Sequence, residues 1–219
     1  QMCIRDRDKV EASVGADFVS NYIWRGTDCG GVSIQPSMGV SYKGLSLTAW
    51  GSVGIDKEDA REIDLTLGYN TGGFSVSVTD YWFSYHKEDG GYTGDYFKYG
   101  AHSTVHIFEA TLGYDFGPLA LSWNTYFAGD DYTKENGDRA YSTYVGISAP
   151  FKLGGLDWSV EVGLTPWEGA YANKFNVTNL TLKAEKEIKF TNSFSLPTFA
   201  QVTFNPHTQG AYFVFGVSF

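Results

Sequence analysis

Apolar and polar residues alternate with a period of two along nearly the whole chain, and few architectures tolerate that. Val10, Ala12, Val14, Ala16 and Phe18 fall on one face, with Glu11, Ser13, Gly15 and Asp17 on the other. The pattern returns at Ile34-Pro36-Met38-Val40, Leu45-Leu47-Ala49, Ile63-Leu65-Leu67, Phe74-Val76-Val78, Phe108-Ala110-Leu112 and Leu119-Leu121-Trp123. It returns again at Val145-Ile147-Ala149, Leu156-Trp158-Val160-Val162, Leu180-Leu182-Ala184, Ala200-Val202-Phe204 and Phe213-Phe215-Val217-Phe219. Successive strand side chains point to opposite faces, so each run is a strand with one apolar face. About twelve strands are expected, and no helix-period stretch competes with them.

The connections alternate in length as regularly as the strands. Tight turns fall at Lys43-Gly44, Thr71-Gly72-Gly73, Phe116-Gly117-Pro118 and Lys152-Leu153-Gly154-Gly155, with a looser one over 186–193. Long polar loops fall at 25–32, 54–62, 86–103, 128–139 and 166–176, with a shorter one at 205–210. An up-and-down barrel gives this rhythm, with tight turns at one end and loops at the other. Aromatic residues cluster at both strand ends, as girdles at two membrane interfaces would: Tyr22, Trp24, Tyr81, Trp82, Tyr126, Phe127 and Trp167 by the loops; Tyr42, Tyr69, Phe74, Tyr114, Phe116 and Phe151 by the turns. No run reaches the ~18 apolar residues of a membrane helix. The mean hydropathy of -0.23 suits a barrel whose lumen face is polar. The expected fold class is therefore all-β, a transmembrane up-and-down antiparallel β-barrel. Residues 8–219 form its single domain. Residues 1–7 fit no periodicity; Met2 to Arg7 resembles read-through of a sequencing adapter and is expected to be a non-native tail.

Charge and motifs narrow the function. The net charge of -9 and the lack of basic clusters argue against nucleic acid as a partner. A Cys3–Cys29 bridge is conceivable, and no metal-type cysteine spacing exists. His102 and His106 would approach one ion only on a helix; on a strand they stand roughly 13 Å apart. Asp130, Asp131 and Asp138 form an acidic loop that reads more simply as solvated than as a calcium site. No nucleophile elbow or phosphate loop appears, so no enzyme activity, cofactor or metal is expected.

If the apolar face meets lipid, the other face lines a lumen. That face carries Glu11, Asp17, Asp64, Glu109, Asp115, Asp157, Glu161 and Glu185 against Arg25 and Lys183. Such a lining makes either an open, cation-preferring passage or a sealed barrel whose charges pair internally; twelve strands allow both. Tyr81, Trp50 and Phe199 would narrow it.

Two resemblances bear on identity. The final strand ends on Phe219, which is similar to the last strand of bacterial outer-membrane barrels, where a terminal Phe is an assembly signal. Ser20-Asn21-Tyr22-Ile23-Trp24-Arg25-Gly26, followed by Ile34-Gln35-Pro36-Ser37-Met38-Gly39 and by Ala49-Trp50-Gly51-Ser52, resembles the opening of TorF-type porins. The likeness covers the first third of the chain. It implies a barrel of the bacterial outer membrane, with outer-membrane lipid and lipopolysaccharide, barrel-assembly machinery and small solutes as partners. The implied role is passive diffusion of small hydrophilic solutes; the rival is a closed structural or adhesive barrel acting through its extracellular loops. Arg25 would then sit inside near the loop rim, held by Asp17 or Asn21.

Overall fold

The computed structural model describes residues 9–87, 91, 93–101, 103–191 and 194–219. The 1–7 segment, Cys3 and His102 lie outside them. The described residues are all-β, with no helix. Twelve antiparallel strands close a barrel: β1 (Glu11–Val19), β4 (Ser33–Tyr42), β5 (Leu45–Gly54), β6 (Arg61–Thr71), β7 (Phe74–Ser84), β8 (His106–Asp115), β9 (Ala120–Gly129), β10 (Thr143–Leu153), β11 (Leu156–Thr165), β12 (Asn176–Lys189), β13 (Ser195–Asn205) and β14 (Gly210–Ser218). Each pairs with the next, and β14 returns to β1. Backbone hydrogen bonds between Phe219 and Ala16, at 2.9 and 3.3 Å, extend that seam.

Turn chemistry explains the tight end. Lys43-Gly44, Gly72-Gly73 and Gly154-Gly155 all have positive φ, which a two-residue type I′ hairpin requires and which matches strand twist. The loose turn expected over 186–193 begins later, because β12 stays paired with β13 through Lys189.

Burial is inverted relative to a water-soluble core. The most enclosed side chains are polar, among them Glu109, Asn124, Thr165, Thr178 and Thr203. Apolar side chains such as Val14, Met38, Leu67 and Phe213 stand exposed on the outer wall. Cross-strand partners share a face, so Leu65, Leu121, Val160 and Leu182 point out and Asp64, Ser122, Glu161 and Thr181 point in.

Two further strands belong to no part of this wall. β2 (Tyr22–Trp24) and β3 (Thr27–Gly30) pair only with each other. The sequence reading has residues 25–32 as an open loop; half of that stretch is instead a hairpin strand, turned by Arg25 (φ 51°) and Gly26 (φ 78°). Arg25-Gly26 repeats the chemistry of Lys43-Gly44, and that likeness is the sequence signal for the hairpin.

Candidate functional site

The hairpin enters the barrel and crosses it. Its stem is fixed where Ser20 N–H donates to the Phe215 carbonyl at 2.8 Å, and where Gly31 N–H donates to Asp59 at 3.2 Å. Tyr22 then meets the Trp50 ring on β5, and Trp24 meets Tyr81 on β7, with centroids 5.5 and 5.6 Å apart. At the tip, the Asn205 side chain on β13 donates to the Gly26 carbonyl at 3.0 Å.

Arg25 anchors the tip against the far wall. Its two terminal nitrogens donate to both Glu109 oxygens, at 2.6 and 2.9 Å. A fork-to-carboxylate pair is the strongest geometry open to these groups. Tyr171, from the β11–β12 loop, accepts a third bond at 2.6 Å and donates on to Tyr126. The guanidinium lies 4.3 Å from the Trp24 ring centroid and 4.7 Å from that of Tyr144 on β10. Tyr81 also donates to Glu109, at 2.9 Å. Arg25 is therefore not held by Asp17 or Asn21; the hairpin carries it across the lumen from β1 to the opposite wall.

The remaining lumen residues divide into three sets. Glu161 on β11 accepts from the Tyr144 hydroxyl at 2.5 Å and from Asn179 at 3.0 Å. Asp64 and Glu62 share one face of β6; both are buried, and among the described residues neither has an ion-pair partner. One Asp64 oxygen has no hydrogen-bond partner. Glu62 escapes the sequence reading because it falls at the end of an expected loop. The third set lies at the tight-turn mouth. Lys183 bonds Glu185 at 2.6 Å, Lys152 pairs with Asp157, and Asp17 shares a cavity of about 210 Å³ with Asp157, Lys183 and Glu185. Asp115 accepts from Gly117 N–H in its own turn.

Several aromatics at the loop end turn inward rather than forming an outer band. Trp24, Tyr81, Tyr126, Tyr144 and Tyr171 pack together around Arg25, and Tyr22 rests on Trp50. At the tight-turn end, Tyr42, Tyr69, Phe74, Tyr114, Phe116 and Phe151 do stand on the outside. His106 lies on the outer face of β8 and is fully buried there; its Nδ1 meets Asp80 at 2.7 Å and its Nε2 meets the Tyr96 carbonyl at 2.7 Å. Both ring nitrogens are thus engaged. Asp131, in the acidic loop, is taken up by the Ser142 hydroxyl and backbone N–H.

Cys29 is a free thiol on the hairpin. Burial, and then the neighbouring Glu62 carboxylate, push it up to about 12, against about 8.5 for an ordinary cysteine. The reactive thiolate then remains a minor species across neutral pH. Alkylation of Cys29 by iodoacetamide is expected to rise about tenfold per pH unit from 7 to 10 without levelling. A plateau near pH 9 would show an ordinary thiol. No protein-family model matches the chain, and no curated protein matches it.

Proposed function

We propose that this barrel spans a bacterial outer membrane and lets small hydrophilic solutes pass passively, with a preference for cations. The observation that carries the reading is the inverted burial: a closed wall with exposed leucine, valine and phenylalanine outside and carboxylates, amides and hydroxyls inside. A wall of that kind is at home in lipid and costly in water. The segments that resemble TorF-type porins are the hairpin crossing the lumen and the strands β4 and β5 beside it, so the likeness falls on the part that would set the bore.

Cation preference follows from which charges are left uncompensated. Arg25 cancels Glu109; among the described residues this leaves Glu161 and the buried Glu62–Asp64 pair as inner acids with no cation beside them. Reversal potential in a planar bilayer under a salt gradient tests this. Cations are expected to be favoured, less so at 1 M salt, where screening lengths shrink to about 3 Å. Glu62→Gln, Asp64→Asn and Glu161→Gln together are expected to weaken the preference. Anion preference would refute the acidic-lumen account, and bilayers that stay silent for both the wild type and Arg25→Met would favour the closed barrel that acts through its loops.

Assembly by the barrel-assembly machinery makes a separate prediction. Deleting Phe219 removes the side chain and also the two backbone bonds to Ala16. Phe219→Ala keeps those bonds. Both changes are expected to lower barrel yield in the outer membrane, and normal yield for Phe219→Ala would exclude the side chain as the signal.

A further inference from the structure

The hairpin that crosses the lumen is held in an unusual way. Every strand of the wall has a backbone ladder on both sides, whereas β2 and β3 have one only with each other. Between its two stem contacts, at Ser20 and Gly31, no backbone-to-backbone hydrogen bond ties the hairpin to the wall among the described residues. An element without a ladder to the rest of the fold is the one that opens at lowest cost. What holds its tip is concentrated at one point, the Arg25–Glu109 pair, with Tyr171 and the Gly26–Asn205 bond beside it.

The space on either side of the hairpin differs. Towards the tight turns, a cavity of about 310 Å³ lies under Trp24, Arg25 and Gly26. A second, of about 460 Å³, continues to the turn mouth, and Ser122 lines both. Towards the loops, Tyr171 and Tyr126 close over Arg25. Cavities thus occupy the lumen between the turn end and the hairpin, and the hairpin with the Tyr171 and Tyr126 rings stands across it above them. Tyr171 accepts from the same guanidinium, but its loop is held separately, by Ala170 N–H donating to the Ser142 hydroxyl at 2.8 Å and by the Trp167 indole donating to the Ala140 and Tyr141 carbonyls, so the guanidinium is the anchor of the hairpin and not of the loop.

We propose that the β2–β3 hairpin is a plug latched by the Arg25–Glu109 pair, and that its withdrawal opens the lumen. The consequence for passage rests on the conduit reading above; the latch does not. Removing one member of a desolvated charge pair leaves the other buried without its partner. Release of the hairpin then lets the orphaned charge reach water.

Cys29 rides on the hairpin and reports its position independently of current. The full chain carrying Cys3→Ser, refolded into lipid vesicles and planar bilayers, is labelled with a water-soluble maleimide at fixed pH. Arg25→Met and Glu109→Gln are each expected to speed Cys29 labelling about tenfold or more, the low end of the coupling between close charge pairs. Channel conductance rises with it. The swap Arg25→Glu with Glu109→Arg is expected to bring both back towards wild type, which general loosening of the barrel would not do. Where Arg25→Met fails to fold, Arg25→Lys retains the charge without the fork and is expected to give an intermediate rate. Unchanged labelling in both single variants, with strand content intact by circular dichroism, overturns the latch; wild-type conductance in that case leaves the conduit reading standing. Faster labelling in silent bilayers overturns the conduit, and the plug's role with it, but keeps the latch.

Discussion

Arginine in place of Leu182 is expected to cost the folded barrel about 2–4 kcal/mol in a bilayer. Leu182 lies near the middle of β12, points outward, and faces Val160 and Val202 across the two neighbouring strands. Nothing polar is opposite it to take up a guanidinium. The site is better than Leu65, which is equally outward but lies opposite Asp80, where an introduced arginine would find a carboxylate. The experiment is equilibrium unfolding by guanidinium in the presence of lipid vesicles, with Lys183→Arg as the control. Lys183 is the next residue and faces the lumen, so the control should shift stability by no more than about 0.5 kcal/mol. A barrel that lives in water would treat Leu182→Arg as an ordinary surface change, also within about 0.5 kcal/mol. A cost that small would remove the basis for placing this wall in lipid.

Much of the wall was legible because its signal is local and repeated. In the run Leu180-Thr181-Leu182-Lys183-Ala184, each residue declares its face, and the same two-residue period recurs a dozen times. Gly72-Gly73 and Gly154-Gly155 mark turns by residue type alone. What the sequence hid was everything that depends on distant partners. Three residues, Tyr22 to Trp24, are too few to display a period, so the hairpin reads as loop. Its course through the lumen is set by Arg25 meeting a carboxylate 84 positions away and a tyrosine 146 away. Period-two reasoning places Glu109 on the inner face; it has no means of saying that this one acid meets a cation while Glu62 and Asp64 do not. Tyr126 pairs with Glu109 in the regular β8–β9 register and shares its face with Ser122 and Asn124, so its inward turn follows from the two-residue period; what the period does not show is that its ring meets Tyr171. For the loop-end aromatics, chemistry alone fits an outer girdle and an inner cluster equally well.

Valine in place of Gly163 is expected to destabilise the barrel by about 1–3 kcal/mol, the usual cost of overpacking, and to disturb the lumen at the same time. Gly163 on β11 lies under the Tyr144 ring of β10; a Cβ built there would overlap the ring and its hydroxyl. The ring cannot simply lift away, because its hydroxyl donates to Glu161 and its face carries the Arg25 guanidinium. The glycine is thus what lets an aromatic platform lie flat inside a narrow bore. Overlap with one movable ring also makes the effect removable. Tyr144→Ala vacates the volume that the valine needs, so the pair Gly163→Val with Tyr144→Ala should be less destabilised than the sum of the two single changes. The expected coupling is about 0.5–3 kcal/mol, the range for residues in direct contact. Four unfolding titrations, on the wild type, the two single variants and the double, measure it. Strict additivity would mean that the ring does not rest on Gly163, and Arg25 would then lack the platform on which its position across the lumen depends.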